Sequence, residues 1–209
     1  MKDVKLNLGC GLNAVQGWVN IDRSPSLILG KVKPLKAVLR RVGLLTEAHM
    51  VDWPSNIVMR DVLRPLPYAD GSVAAIYSSH MLEHLYLSDA EAVLGECRRV
   101  LAPGGVIRVA LPDGEEFAAL ALSGSVDDAR AYTRQLNAHP LEPPTIAQRL
   151  RRPFSGSPHR WQPTRPLIAA MLEGAGFACV TERQFRVGNL PGLEVVEHRG
   201  ESIFYEGTA

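Results

Sequence analysis

Short apolar runs recur along the chain, separated by turns or by stretches with helical spacing. In the first run, Val4, Leu6 and Leu8 alternate with polar residues and the pattern stops at Gly9, which predicts a strand that ends in a tight turn. Six further runs have the length and apolar character of strands, at residues 18–21, 57–59, 73–77, 106–111, 177–182 and 202–205. The run at 73–77 is nearly continuous, as expected for a strand buried on both faces.

Residues 88–101 carry apolar side chains at helical spacing. Ser88 followed by Glu91 three residues later reads as a capping box, which predicts the start of this helix. The Pro-Gly-Gly sequence at residues 103–105 predicts its end. A later helix is predicted to begin near Pro166.

The alternation of strands and helices favours an α/β fold. We predict a doubly wound, mostly parallel seven-stranded sheet that forms one domain over residues 1–209. Two regions interrupt the alternation, at about residues 24–56 and 114–164. We interpret both as insertions over the carboxyl edge of the sheet, where they would form a lid-like segment.

The first insertion contains a basic amphipathic stretch at residues 34–42, with Pro34 suited to a first helical turn and Gly43 to a stop. The predicted apolar face carries Leu35, Val38, Leu39 and Val42. The predicted polar face carries Lys36, Arg40 and Arg41. We favour a helix that covers the mouth of the site, and the alternative is a helix that lies on a membrane or a partner.

Composition narrows the class of protein. The net charge is +1, so no strong overall field attracts the chain to nucleic acid or to an anionic membrane. The three cysteines are far apart and show neither a disulfide framework nor zinc spacing, so we predict no metal site and a reduced, cytoplasmic setting. No signal-like segment and no apolar run near the ~20 residues of a membrane span is visible, so we expect no stable membrane insertion.

Polar or glycine residues follow the first three predicted strands. In an open α/β sheet the ligand lies at the carboxyl ends of the strands, so these positions are candidates for binding. The turn at residues 9–11, Gly-Cys-Gly, lets the backbone approach a ligand closely. Asp22 can accept the hydroxyls of a ribose, and Asp61 beside the amide of Val62 can bind an adenine edge. Each of these residues could instead belong to an ordinary turn.

The fourth strand is followed by Ser78, Ser79 and His80, and then by Glu83 and His84. These residues would face the reactive end of a bound ligand. A histidine that packs a helix against the sheet is the alternative for His84, and His80 lies closer to the end of the strand.

Taken in order, these segments resemble the class I SAM-dependent methyltransferases. The resemblance rests on residues 6–11, 17–22, 60–62, 66–68, 76–80, 82–84, 99–101 and 103–105, and it is closest to a small branch of predicted SAM-dependent methyltransferases. It implies a Rossmann-like fold, S-adenosylmethionine as the cofactor and a small-molecule methyl acceptor, such as a glycan precursor or a secondary metabolite.

The resemblance also implies roles for individual residues. Gly9, Cys10 and Gly11 would contact the methionine portion of the cofactor, and Asp22 would hold the ribose, with the adjacent Arg23 also counted as cofactor-binding. Asp61 and Val62 would hold the adenine, and Ser78 and Ser79 would lie near the sulfonium. One departure concerns residues 12–17, which are too few for the about 10–12 residues of a crossover helix, so the first helix is predicted to be a turn or less.

The sulfonium carries an activated methyl group, so the protein would mainly hold a nucleophile in line at ~3–3.5 Å. A hydroxyl acceptor would gain from a general base, and the candidates are His80, His84, His159 and Asp113. His159 with Arg160 and Trp161 could form a substrate clamp or a structural tie. An amine or carboxylate acceptor needs no base.

Three other classes remain as rivals. A NAD-binding oxidoreductase would have a third glycine where this chain has Ala14. An aminopropyl transferase would need clustered carboxylates for a polyamine, and none cluster clearly. A non-catalytic scaffold with the same fold would bind a partner protein, and a homodimer is a further open expectation.

Overall fold

The computed structural model describes residues 4–41, 45, 51–135, 146 and 158–209. Its strands are β1 (Lys5–Leu8), β2 (Val19–Asp22), β3 (Ile57–Met59), β4 (Val73–Ser79), β5 (Leu101–Leu111), β6 (Ala178–Arg183) and β7 (Ile203–Thr208). Its α-helices are α1 (Pro25–Lys31), α2 (Lys33–Arg41), α3 (Leu87–Val100), α4 (Gly114–Leu122), α5 (Val126–Gln135), α6 (Arg165–Gly174) and α7 (Leu193–Val196), and a 3₁₀ helix spans Leu82–His84.

The described strands form one seven-stranded sheet in the order β3-β2-β1-β4-β5-β7-β6. The first five strands along the chain are parallel, whereas β7 runs antiparallel to both β5 and β6. The predicted seven-stranded, mostly parallel sheet is therefore confirmed. The strand order reverses between β1 and β4, and ligands bind in the crevice at such a switch point.

Both faces of the sheet are covered by apolar residues. Leu6, Leu8 and Ile76 on one face belong to a cluster with the buried sides of α3 and α6. On the other face Tyr77 packs in a second cluster that includes α7, and this cluster also contains Trp18, Ala75, Ala110, Leu190, Leu193, Val196 and Phe204. Neighbouring residues of β4 thus enter opposite layers, as the two-residue period of a strand requires.

The helix predicted at about residues 88–101 is confirmed to within one residue at each end, but the two sequence signals predicted to bound it are wrong. The helix begins at Leu87 after Tyr86, and no side chain caps it, so Ser88 and Glu91 do not form a capping box there. The Pro-Gly-Gly sequence at 103–105 does not end it either. Leu101 already has extended backbone, with φ −68° and ψ 133°, and the chain passes directly into β5.

Helix α2 confirms the predicted helix near residues 34–42 but not its division into faces. Lys36 is buried, and its Nζ donates a hydrogen bond to the carbonyl of Val51 at 2.9 Å, whereas Val38 is 58% exposed. The aliphatic part of a lysine can be buried when its ammonium reaches an acceptor, so the charge of Lys36 did not identify the solvent-exposed face of α2. The side chain of Leu35 lies outside the described residues, as does Val42. Over the described ranges, no helix is both long enough and apolar enough to cross a bilayer.

Candidate functional site

A cavity of about 700 Å³ opens at the carboxyl ends of β1, β2 and β4. This volume is within the ~300–1,000 Å³ of small-molecule sites. Of the predicted site residues, the cavity is lined by Gly9, Cys10, Gly11, Asp22, Arg23, Asp61, Val62, Ser79, His80 and His84. Ser78, His159 and Asp113 do not line it. Most of the residues predicted from the ends of the strands therefore meet in one place.

The glycine turn after β1 is closely packed. Gly9 has φ +66°, and a Cβ added there would lie 2.3 Å from Cγ of Met81. Its amide donates to the carbonyl of Ile21 at 2.8 Å, which ties the turn to β2. Gly11 has φ +54° and open space where a Cβ would stand. Cys10 lies between these two glycines. Burial, and to a smaller extent the charge of Asp22, raises the pKa of its thiol to about 12, so the thiol stays protonated.

Asp22 is 8% exposed and is held by two backbone amides. The amide of Gly11 donates to Oδ2 at 2.9 Å, and the amide of Ser24 donates to Oδ1 at 2.7 Å. An ionised carboxylate has about four acceptor positions. The two amides therefore fix the orientation of Asp22 and leave acceptor capacity for hydroxyl groups of a ligand.

Asp61 lies at the end of β3 on the same rim. Its Oδ1 accepts the amide of Leu63 at 3.1 Å, and its other oxygen forms an ion pair with Arg23, whose side chain is 57% exposed. Arg23 therefore meets the carboxylate that was predicted to bind the adenine. The pair joins the ends of the adjacent strands β2 and β3 at this rim.

The crossover from β1 to β2 contains turns and no helix, as its short length predicted. The buried side chain of Asn20 organises it. Its amide donates to the carbonyl of Val15, and its Oδ1 accepts the amide of Val15, both at 2.9 Å. Asn7 also donates to Asn20 Oδ1 at 3.0 Å. These bonds take over the positioning that a crossover helix would supply, and the sequence analysis did not identify them.

Alternation along β4 separates the two predicted serines. Tyr77 and Ser79 line the cavity. Burial raises the pKa of Tyr77 to about 12, against the effect of a hydrogen bond with Ser79. Ser78 points to the opposite face, where its Oγ is buried without a hydrogen-bond partner among the described residues. The structure thus brings Ser79, and not Ser78, to the site.

His80 follows β4 in a left-handed backbone conformation, with φ 49°. Its amide donates to the carbonyl of Ala110 at 2.9 Å. Its Nε2 lies 2.8 Å from Oγ of Ser202, and its Nδ1 lies 3.4 Å from Oε1 of Glu83. The imidazole is therefore fixed at both nitrogens at the edge of the cavity.

Glu83, His84 and His159 form a second group beside His80. Glu83 is fully buried, and Nε2 of His159 lies 3.9 Å from its Oε1. The rings of His84 and His159 meet edge to face at 4.9 Å between centroids. Burial lowers the pKa of His159, and the neighbouring His84 and His80 add to this effect while Glu83 opposes it.

The segment that carries His159 is tied to the 3₁₀ helix by its backbone. The backbone amide of Arg160 donates a hydrogen bond to the carbonyl of Glu83 at 2.8 Å. The side-chain Nε of Arg160 donates a second one to the carbonyl of His84 at 2.9 Å. The guanidinium also lies 4.0 Å from the ring centre of Tyr86. These contacts match the structural tie considered for Arg160, and they place His159 behind the cavity wall.

Asp113, a candidate base, has a different setting. Its Oδ1 accepts the amides of Glu115 and Glu116 at the start of α4, and its carboxylate pairs with Arg165 at 3.0 Å. Burial favours a raised pKa for Asp113, but the hydrogen bonds from Arg165 and the two amides outweigh it and lower the pKa. Asp113 is a helix cap rather than part of the cavity.

Several residues of the site lie outside the motifs recognised in the sequence. His198 and Arg199, in the loop before β7, line the cavity, as do Met81 and Trp53. Both His198 and Arg199 are exposed. They lie in no motif at a strand end, and only the antiparallel return of β7 brings their loop to the cavity, so no signal in the sequence pointed to them.

Comparisons with known proteins agree with this geometry. Residues 6–109 match the protein family described as methyltransferase domain. A curated relative, an uncharacterised 37.1 kDa protein in transposon TN4556 of Streptomyces fradiae, is 26% identical over 195 residues, which cover 90% of this chain and 54% of the relative. The chain thus spans about half the length of that relative.

Two solved structures have a similar fold. A SAM-dependent methyltransferase from Methanosarcina mazei aligns over 100% of this chain and 93% of its own, with a TM-score of 0.54 and 11% identity. Another, from Archaeoglobus fulgidus, aligns over 100% and 87%, with a TM-score of 0.53 and 14% identity. At such identities the likeness establishes the fold.

Proposed function

The chain belongs to the class I SAM-dependent methyltransferases, whose cofactor is S-adenosylmethionine, and we propose on this basis that it transfers the cofactor's methyl group to a small-molecule acceptor. The observation that carries the proposal is the continuity of the cavity. It has Asp22 and Asp61 on one side and His80 and His84 on the other. A cofactor held by the carboxylates would point its sulfonium toward the histidines.

The residues present fit the cofactor. Asp22, already oriented by two amides, has acceptor capacity for the ribose hydroxyls. Asp61 and the amide of Val62 stand where an adenine edge would lie, once Arg23 turns toward solvent. The tight packing of Gly9 against Met81 keeps the turn at residues 9–11 close to the cavity. When bound, the cofactor supplies an activated methyl group, so the protein needs mainly to orient the acceptor and exclude water.

For a hydroxyl acceptor we propose His80 as the general base. It lines the cavity at the end of β4, whereas His159 lies behind the wall and Asp113 caps a helix. If Nδ1 of His80 donates toward Glu83, Nε2 carries the free lone pair, which Ser202 now occupies at 2.8 Å. An acceptor hydroxyl in place of Ser202 would deliver its proton to Nε2. His84 remains a second candidate on the same wall.

Several finer features stay proposals. We propose that the acceptor is a small molecule such as a glycan precursor or a secondary metabolite, and that the protein works in the cytoplasm without nucleic acid. The single domain, the lid-like insertions and a homodimer also remain predictions. Among the side chains of α2 that the structure describes, none lines the cavity.

The test is a thermal-shift titration with S-adenosylmethionine and S-adenosylhomocysteine on the wild type, Asp22→Ala and Asp127→Ala. At ligand about 100-fold above its dissociation constant, binding adds about 2.7 kcal/mol, which corresponds to roughly 5–10 °C for a domain of this size. We expect this shift in the wild type and in Asp127→Ala, whose carboxylate is 94% exposed. The shift should be much smaller in Asp22→Ala.

Turnover is then measured as release of S-adenosylhomocysteine with panels of hydroxylated and aminated small molecules. Acceptor-dependent release that falls in His80→Gln supports the proposal. Cofactor binding without turnover on any panel would favour the non-catalytic scaffold. Failure of the wild type to bind either ligand would contradict the proposal at its first step.

A further inference from the structure

The carboxylate of Glu83 is the least satisfied charged group that the structure describes near the cavity. Its side chain is 0% exposed, and neither Oε1 nor Oε2 has a hydrogen-bond partner within the described part of the chain. Burying a carboxylate without hydrogen bonds or a counter-charge is costly, and native proteins pair such groups or use them to coordinate metals. The imidazoles of His80, at 3.4 Å, and His159, at 3.9 Å, lie near Oε1 without forming a hydrogen bond with it, so the carboxylate keeps capacity for an added cation.

Two imidazoles converge on this carboxylate from different segments. His84 is the next residue of the 3₁₀ helix, and His159 comes from the segment that Arg160 ties to that helix. One ligand atom from each of Glu83, His84 and His159 can be chosen so that all three lie within 4.8 Å of one another. Ligands on a tetrahedral ion with bonds of about 2.0–2.2 Å are about 3.3–3.6 Å apart. Small rotations of the three side chains would bring these ligand atoms from within 4.8 Å to the separation that a bound ion requires.

The surroundings of His84 suit coordination, whereas Nδ1 of His159 is buried without a hydrogen-bond partner among the described residues. Nδ1 of His84 lies 3.3 Å from the carbonyl of Pro158. A carbonyl acceptor there places the proton on Nδ1 and leaves the lone pair of Nε2 free, which is the usual arrangement for a histidine that binds metal. Nδ1 of His80 also lies 3.4 Å from Oε1 of Glu83.

We propose that Glu83, His84 and His159 bind one divalent transition-metal ion, with Zn²⁺ the best match. Two imidazoles and one carboxylate are a donor set typical of Zn²⁺ sites that keep a fourth position open, whereas Mg²⁺ and Ca²⁺ prefer oxygen ligands throughout. His84 lines the cavity, so a ligand in the cavity could approach this fourth position. The site departs from the expectation of no metal, which rested on cysteine spacing. It does not depend on the proposed methyl transfer.

The experiment uses the full chain, freed of metal with a chelator and desalted, and titrated with ZnCl₂ by calorimetry. We compare the wild type with His84→Ala, His159→Ala and His198→Ala. His198 serves as the control because it is an exposed histidine at the same cavity but is not one of the three proposed ligands. We expect one ion per chain with a dissociation constant below about 1 μM in the wild type and in His198→Ala. Loss of either ligand should weaken binding by at least about 100-fold, since even supporting residues contribute about 10–100-fold.

Far-UV circular dichroism and the urea midpoint of each variant show whether it is folded, and neither readout depends on the proposed function. If His159→Ala does not fold, His159→Gln replaces it, because glutamine keeps polarity and bulk but lacks the imidazole. The proposal is overturned if the wild type binds no Zn²⁺ below about 10 μM. It is equally overturned if His84→Ala and His159→Ala bind as tightly as the wild type, or if binding is lost in His198→Ala.

Discussion

The two ends of the cavity are built in different ways. At the carboxylate end, Asp22 is the last residue of β2 and Asp61 lies two residues after β3, and backbone amides hold both. At the histidine end, which comprises His80, Glu83, His84 and His159, the side chains come from a strand end, a 3₁₀ helix and a distant segment. The register of the parallel strands thus positions the first end, whereas contacts between remote parts of the chain position the second.

The largest loss of stability is expected when a buried ion pair beside the histidine end is removed, because this pair supports the neighbouring loop. Glu197 is fully buried, forms an ion pair with Arg108 of β5, and directly precedes His198. We expect Glu197→Ala to destabilise the protein by about 3–5 kcal/mol, because it leaves the buried guanidinium without its main partner. Urea denaturation measures the loss.

Two variants control for this effect. Glu194→Ala removes an exposed carboxylate only three residues away and should change stability by less than about 0.5 kcal/mol. The double variant Arg108→Met with Glu197→Leu should recover only part of the loss, because it removes both charges of this pair but takes from the buried Glu206 its contact with Arg108 at 3.3 Å. An equal, small effect of Glu197→Ala and Glu194→Ala would show that the ion pair does not support this loop.

The glycine turn gives the corresponding test at the carboxylate end. Gly9→Ala should destabilise the protein by about 3 kcal/mol, because the methyl group adds left-handed strain and a clash with Met81. Gly11→Ala meets no neighbouring atom and should lose only about 1–2 kcal/mol from backbone strain. The difference between the two urea transitions isolates the close packing of the turn. Equal losses would mean that Met81 moves aside freely.

The two serines of β4 test which face of the strand belongs to the site. Ser78→Ala should stabilise the protein by about 1 kcal/mol and leave the affinity for S-adenosylhomocysteine unchanged, because it removes a buried hydroxyl without a described partner. Ser79→Ala should weaken that affinity, since Ser79 lines the cavity. The reverse result, with affinity lost only in Ser78→Ala, would show that the sequence analysis assigned Ser78 correctly.

This contrast explains how far the sequence could predict the molecule. Strand runs and the residues that end them are local patterns, so the sheet and the positions of Gly9, Asp22 and Asp61 followed from the sequence. The sequence also predicted His80, His84 and His159 as candidate site residues. It could not find their arrangement around Glu83, because that depends on the hydrogen bonds of Arg160 to the 3₁₀ helix.

Lys36 and Ser78 show the other limit of sequence reasoning. A charged residue on a helix is ordinarily exposed, yet Lys36 is buried because its ammonium reaches the carbonyl of Val51. Two consecutive polar residues at a strand end must point to opposite faces, so Ser78 and Ser79 could not both enter the cavity. Each outcome depends on which neighbour packs against the residue, and that is a property of the folded chain.

The smallest expected effect concerns Asp113, which lies two residues after β5 and caps α4. Its carboxyl pKa is lowered in the folded state, so its contribution to stability is full above the unfolded value of about 3.9 and is lost as the pH falls through the folded pKa. Asp113→Asn keeps a capping side chain but not the charge that faces Arg165. The stability difference between the two proteins should stay below about 1 kcal/mol at pH 6 and shrink toward pH 3.

Urea midpoints at several pH values measure this difference, with Asp127→Asn as a carboxylate whose side chain is 94% exposed and should show almost no pH-dependent change. A difference that grows as the pH falls would contradict the assignment, because it would mean that the protonated form of Asp113 is the stabilising one. Unchanged affinity for S-adenosylhomocysteine in Asp113→Asn would separate this carboxylate from Asp22. Two aspartates near the carboxyl ends of strands would then differ in role because of what packs beside them: a helix N-terminus and Arg165 in one case, and the open cavity in the other.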